Sequence, residues 1–162
     1  MSIIQHHIGD LFTRFSHAYE FDFNYTAIAH VCNCQGVMGS GIALAIKTYY
    51  PEAYDAYKKF ETVNQGITLG TISVADVFPS KEVYNLHAQE FYGQGGRYLN
   101  YEALYICLEQ MKCHLSISKI KRVGIPYNMG CDRAGGNWNV VESMINAVFK
   151  NSDISFFAMK LK

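Results

Sequence analysis

Apolar positions fall into two rhythms along this chain of 162 residues. Short apolar runs rich in β-branched and aromatic residues predict strands over 3–8, 26–32, 70–78, 83–87, 122–126 and 154–161. Between them, 42–49, 52–61, 101–115 and 140–149 predict helices. The clearest is the third, where Tyr101, Leu104, Leu108, Met111 and Leu115 recur at i, i+3, i+7, i+10 and i+14, one face of a helix. Val140, Val141, Met144, Ile145, Val148 and Phe149 mark the last helix, with Asn137 or Asn139 as its N-cap. Pro51 breaks one helix or starts the next. The stripe Tyr54, Tyr57 and Phe60 that follows reads as packing. No repeat and no Pro/Ser-rich linker interrupts the alternation. The chain therefore reads as a single α/β domain over 1–162, with a mixed or largely parallel sheet between helices. Strand 26–32 is placed centrally. Ligands of such sheets sit beyond the carboxyl ends of the strands, which points to the loops after Cys32 and after Pro126.

Composition narrows the function classes. Hydrophobic residues make up 49% and charged residues 17%, which excludes disorder over most of the chain. Lys+Arg and Asp+Glu both number 14, so the net charge is zero and no cationic excess drives nucleic-acid binding. An anionic ligand would be held by backbone amides and helix ends instead. The five cysteines (32, 34, 107, 113 and 131) form no CxxC pair and lack histidines at zinc-finger spacing. They read as reduced, mostly buried thiols, with no metal site and no cofactor. Residues 1–9 do not read as a secretory leader, and no stretch reaches the roughly 18 apolar residues a spanning helix needs. A monomeric cytoplasmic protein is expected, with no membrane partner.

Two loops carry the candidate chemistry. Gly36, Gly39 and Gly41 lie between a strand and a helix, where the missing side chains let backbone N–H groups approach a phosphate. The order GxxGxG fits neither a Walker A loop, since Ile42 and Ala43 follow Gly41, nor the dinucleotide fingerprint GxGxxG. A tight turn with no ligand is the plain alternative. The second loop, 126–138, also ends at a helix start, and its Trp138 reads either as a site wall or as a packing residue. Asp10, after Gly9 at a strand end, reads as a turn former or as an acceptor for an adenine amino group. His30 and His87, near the ends of interior strands, read as buried and satisfied, or as a converging acid/base pair.

Gly9-Asp10-Leu11, then His30-Val31-Cys32-Asn33-Cys34-Gln35-Gly36-Val37-Met38-Gly39-Ser40-Gly41-Ile42-Ala43, then Pro126 through Trp138 resemble a macrodomain over nearly the whole chain. Residues 30–57, including Tyr50-Pro51-Glu52-Ala53, look most like the ADP-ribose 1''-phosphate phosphatase branch. Asn85-Leu86-His87-Ala88-Gln89, Tyr92-Gly93 and Ala134-Gly135-Gly136-Asn137-Trp138 look like small bacterial or phage macrodomains.

The resemblance implies a three-layer α-β-α fold with a central mixed, largely parallel sheet, and ADP-ribose or a derivative as partner. It places Asp10, with Leu11 beside it, at the adenine and Asn33 at the distal ribose. Gly36, Val37, Met38, Gly39, Ser40, Gly41 and Ile42 then wrap the distal ribose and diphosphate. Asn128, Met129, Gly130, Cys131, Asp132 and Arg133 form a second phosphate loop. The lysine of the related glycohydrolase branch falls near Ala88 or Gln89, neither of which forms a Schiff base, and its aspartate falls near Ala134. The leading expectation is a hydrolase removing the 1''-phosphate, with His30 activating water or acting as general acid and Asp132 or His87 assisting. The alternatives are removal of ADP-ribose from a macromolecule or signalling adduct, and a non-catalytic ADP-ribose reader. Residues 91–97 would suit a lid or an ordinary surface loop.

Overall fold

The computed structural model describes residues 3–16, 21–92, 96, 98–131 and 134–161. Six strands form one sheet: β1 (Ile4–Ile8), β2 (Ala27–Asn33), β3 (Thr71–Val77), β4 (Lys81–Gln89), β5 (Arg122–Pro126) and β6 (Ser155–Lys160). The sheet order is β1-β6-β5-β2-β4-β3. Every neighbouring pair is parallel except the edge hairpin β3–β4. Helices α1 (Thr13–Ser16), α2 (Gly41–Tyr49) and α3 (Pro51–Asn64) lie on one side of it, and α4 (Tyr101–Ser118) and α5 (Trp138–Phe149) on the other. This is the expected three-layer α-β-α arrangement with a mixed, largely parallel sheet. Among the described residues, no helix is long and apolar enough to cross a membrane.

Strand alternation explains how the layers attach. Ala27, Ala29, Tyr84, Leu86, Val123, Ile125, Phe156 and Ala158 pack against the buried faces of α4 and α5. Their neighbours Ile28, Val83, Phe157 and Met159 point the other way, into a second core with Phe15 of α1 and Ile46 of α2. Each fully buried Leu, Ile or Phe contributes about 1.5–3 kcal/mol by leaving water. Strands buried on both faces read as continuous apolar runs, which is why β2 and β5 stood out in the sequence. The short helix α1 carried no periodic signal and was not anticipated. Pro51 sits in the first turn of α3, so it starts that helix, and Asn137, not Asn139, caps α5 by accepting the Asn139 N–H at 2.9 Å.

The middle of β5 has a glycine for a steric reason. A Cβ on Gly124 would lie 2.3 Å from the Tyr25 ring, which lies over the strand. The Tyr25 hydroxyl in turn donates to the Leu11 carbonyl, tying the turn after β1 to this contact.

A polar chain runs through the interior across β2, β4 and β3. Asn85 Nδ2 donates to the Ala53 carbonyl at 3.0 Å and to Ser73 Oγ at 3.1 Å, so its Oδ1 faces His30. His30 Nε2 lies 2.6 Å from that oxygen and must carry the proton. Thr71 Oγ1 gives its own proton to the Thr68 carbonyl at 2.6 Å. It therefore accepts from His87 Nδ1 at 2.8 Å, which leaves His87 Nε2 to accept from Ser73 Oγ at 2.9 Å. Both imidazoles are neutral and have no solvent exposure. Desolvation by burial lowers each pKa to about 4, with the His30–His87 interaction adding to the effect at His87. Two interior histidines converging on a ligand was one expectation from sequence. The structure corrects it: they face α3, inside the protein, and complete an internal hydrogen-bond chain.

Two predictions follow from these contacts. In the unfolded chain both histidines take a proton near pH 6.5, whereas the folded protein resists until about pH 4. The unfolded state therefore binds more protons between those values, and stability falls as pH drops from about 6.5 to about 4. Urea unfolding at pH 7.5 and 5.0 should show the loss, and a His87→Gln variant should show less of it. Gly124→Ala should cost about 1–3 kcal/mol by overpacking against Tyr25, read as a lowered midpoint in the same titration.

Candidate active site

Five parallel strands end at the same sheet edge, so the loops that follow them meet there. A cleft of about 560 Å³ lies at that edge. Val31, Cys32 and Asn33 from the end of β2, Pro126 from the end of β5 and Tyr127 just after it line the cleft. The glycine loop and the start of α2 supply Val37, Gly39, Ser40, Gly41, Ile42 and Ala43. The second loop supplies Asn128, Met129, Gly130 and Ala134, and Gln89 at the end of β4 and Tyr92 after it also line the cleft. This is the meeting of two loops expected from the strand ends.

The start of α2 defines the chemistry. The Ser40 side chain makes no capping hydrogen bond, and no acidic residue occupies the first turn. In α4 and α5, by contrast, Asn100 and Asn137 accept from the N–H groups of Ala103 and Asn139. The first N–H groups of α2 thus face the cleft without a side-chain partner, where the helix dipole favours an anion.

Asn33 shapes the loop. Its Oδ1 accepts from the Gln35 and Val37 N–H groups at 2.9 and 3.4 Å, and its Nδ2 donates to the Val37 carbonyl at 2.8 Å. The second loop is wound by Asn128 and Gly130, with φ of 63° and 75°, and by Cys131 N–H donating to the Asn128 carbonyl at 2.7 Å. A Cβ on Gly130 would meet Leu99 at 3.0 Å, so both backbone and space favour glycine.

No Asp, Glu, Lys, Arg or His is among the described residues that line the cleft. Its one thiol, Cys32, is pushed well above the usual range, chiefly by burial, and burial raises Cys34 and Cys131 to about 11. None is a thiolate nucleophile at neutral pH. Among the described residues, no group of three His, Cys, Asp or Glu side chains is placed to hold a metal.

Of the residues anticipated from sequence, the cleft brings together Asn33, Val37, Gly39, Ser40, Gly41, Ile42, Asn128, Met129 and Gly130. Gly36, Met38, Leu11 and Cys131 do not line it. Met38 is packed with Tyr57 and Ile67 in the core, and Leu11 packs among the Phe15 and Tyr25 rings. Asp10 lies at the same edge but outside the cleft, where its Oδ1 accepts the Phe12 N–H at 2.6 Å as a turn former. His30 and His87 are absent from the lining. Asp132 and Arg133 lie outside the described residues, as do 93–95 and 97 of the suggested lid. Val31, Cys32, Ala43, Gln89, Tyr92, Pro126, Tyr127 and Ala134 also line the cleft without being singled out from sequence as ligand-binding residues, although the second loop as bounded there contains Pro126, Tyr127 and Ala134. For all but Ala43, Tyr92 and Ala134, the available signal was position at the end of a strand.

Comparisons with known proteins show the family. A DNA ADP-ribosyl glycohydrolase of Mycobacterium tuberculosis is 30% identical over 128 residues, 76% of this chain and 35% of that protein. This chain thus spans about a third of that relative's length. An ADP-ribose 1''-phosphate phosphatase of Ajellomyces capsulatus is 43% identical over 58 residues, 36% of this chain and 20% of that protein. The solved macrodomain of Mycobacterium tuberculosis DarG superposes with a TM-score of 0.72 at 26% identity, covering 99% of this chain and 98% of that one. The family model for the Macro domain matches residues 29–145, from the middle of β2 to within α5 and across both loops of the cleft, and the chain belongs to the macrodomain family.

Proposed function

We propose that this chain binds the ADP-ribosyl group in the cleft and hydrolyses a derivative substituted on the distal ribose, with ADP-ribose 1''-phosphate as the lead substrate. The observation that carries the reading is the uncapped N-terminus of α2, opening with the glycine loop onto a cleft without charged side chains among its described lining. The amides of 39–43 would hold the diphosphate and stabilise charge developing on the terminal phosphate oxygens. Asn128 to Gly130 would face them from the second loop. With His30 and His87 engaged in the interior, an ordered water held between phosphate and ribose is the nucleophile. Asp132 is retained as the candidate that assists it.

A second reading is removal of ADP-ribose from a macromolecule, favoured by the 30% identity with a DNA ADP-ribosyl glycohydrolase. It would run without a covalent lysine adduct, because the resemblance puts the family's lysine near Ala88 or Gln89, neither of which forms a Schiff base; Gln89 lines the cleft and Ala88 is buried.

The test is calorimetric titration with ADP-ribose beside two assays: phosphate release from ADP-ribose 1''-phosphate, and ADP-ribose release from an ADP-ribosylated oligonucleotide. Binding with phosphate release supports the lead reading. Release from the oligonucleotide alone supports the second, and binding without turnover makes the protein a reader. Absence of binding overturns all three. Gly39→Glu, which puts a carboxylate at the amide cradle, should weaken ADP-ribose binding at least about tenfold without lowering the melting temperature.

A further inference from the structure

The glycine loop is fastened to the outer layer by one face of α3. The Tyr57 hydroxyl is buried beneath the loop. It accepts the Gly36 N–H at 3.1 Å and offers its proton to the Asn33 carbonyl at 2.6 Å and to Asn33 Oδ1 at 2.8 Å. One residue on, Lys58 Nζ reaches the Gly36 carbonyl at 3.3 Å and Glu61 Oε1 at 2.5 Å. The Glu61 carboxylate fills the space beside Gly36, so that a Cβ there would lie 2.3 Å from Oε2. Gly36 itself has φ of 76°, the left-handed region that favours glycine. Both polar groups of this residue are therefore held by α3, and the residue does not line the cleft. The Lys58 and Glu61 side chains keep 39% and 30% of their exposure, so substitution there does not open the core.

We propose that Tyr57, Lys58 and Glu61 are positioning residues for ligand binding, a latch on α3 that presets the glycine loop before the ligand arrives. This rests on the reading of the cleft as an ADP-ribose site. Holding the Gly36 carbonyl on the α3 side keeps its partial negative charge out of the anion cradle. Holding Asn33 fixes the bonds that shape residues 33–37. A loop that is already arranged loses less entropy on binding, so the latch acts on affinity while touching no ligand atom. Tyr57 looks like part of an aromatic packing stripe in the sequence. Its ring does pack, and its hydroxyl does the positioning.

The test has two arms, with Tyr57→Phe, Lys58→Met and Lys58→Arg. In calorimetry, Tyr57→Phe and Lys58→Met should weaken ADP-ribose at least about tenfold. AMP, which lacks the distal ribose and second phosphate, should change by less than about threefold, and Lys58→Arg should restore most of the ADP-ribose affinity. In the ligand-free protein, hydrogen exchange of the 36–41 amides should speed up in Lys58→Met, which removes no partner of an amide, while β4 amides keep their protection. Equal losses for ADP-ribose and AMP, or unchanged affinity with unchanged exchange, would overturn the latch. If the wild type binds no ADP-ribose, the functional reading fails, and the exchange arm still decides whether α3 presets the loop.

Discussion

Parallel pairing of β5, β2 and β4 is the constraint on which the rest depends. Parallel strands need crossover connections, and these put helices on both faces of the sheet while collecting the outgoing loops at one edge. The register carries the effect: Ala27 pairs with Val123 on one side and Glu82 on the other, so β2 is held at its start by β5 and along its whole length by β4. Its last residue, Asn33, is delivered to the edge with its side chain ready to fold the loop. The cleft is a consequence of topology before it is a consequence of any one side chain.

That topology also underlies the anion site proposed for a neutral protein. With no charged side chain among the described lining, the attraction in that proposal would come from aligned peptide dipoles at the start of α2 and from N–H groups of both loops. Such groups are partial charges fixed by backbone geometry and need no reorganisation when the ligand arrives. Their weakness is that they work only if the loop is held in shape. The hydrogen bonds of Asn33 and the contacts from α3 are what hold it in shape.

Much of the fold was legible because it rests on periodicity. The five-point stripe from Tyr101 to Leu115 became the buried face of α4, and the apolar run at 122–126 became β5 with the same bounds. Helix α1, of four residues, is too short for a period to declare itself. Among the candidate site residues, Gly39 and Gly41 were legible as glycines at a strand-to-helix turn, while Asn33 came only from the family resemblance. Met38 and His30 were misplaced for one physical reason. Proximity in sequence to a loop does not say which way a side chain points, and both face α3 and the core, where burial and hydrogen bonds already satisfy them. Tyr127 and Gln89 escaped because a strand end declares itself as a lining position only once its neighbours in the sheet are known.

The interior histidines bear on what the cleft can do. Their chain of hydrogen bonds has one direction for its protons, set at one end by the Ala53 carbonyl and at the other by the Thr68 carbonyl. A second proton on His87 would sit on Nε2 and break that order, and one on His30 would be a charge buried without water, so neither titrates near neutral pH. The Cys32 thiol, which lines the cleft, is likewise held in its neutral form by burial. The backbone amides do not titrate at all. The described walls of the cleft therefore keep one charge state across the neutral range. A phosphate monoester, by contrast, takes its second charge near pH 6. An amide cradle holds a dianion more strongly than a monoanion, so the ionisation that matters here for a monoester is the ligand's own.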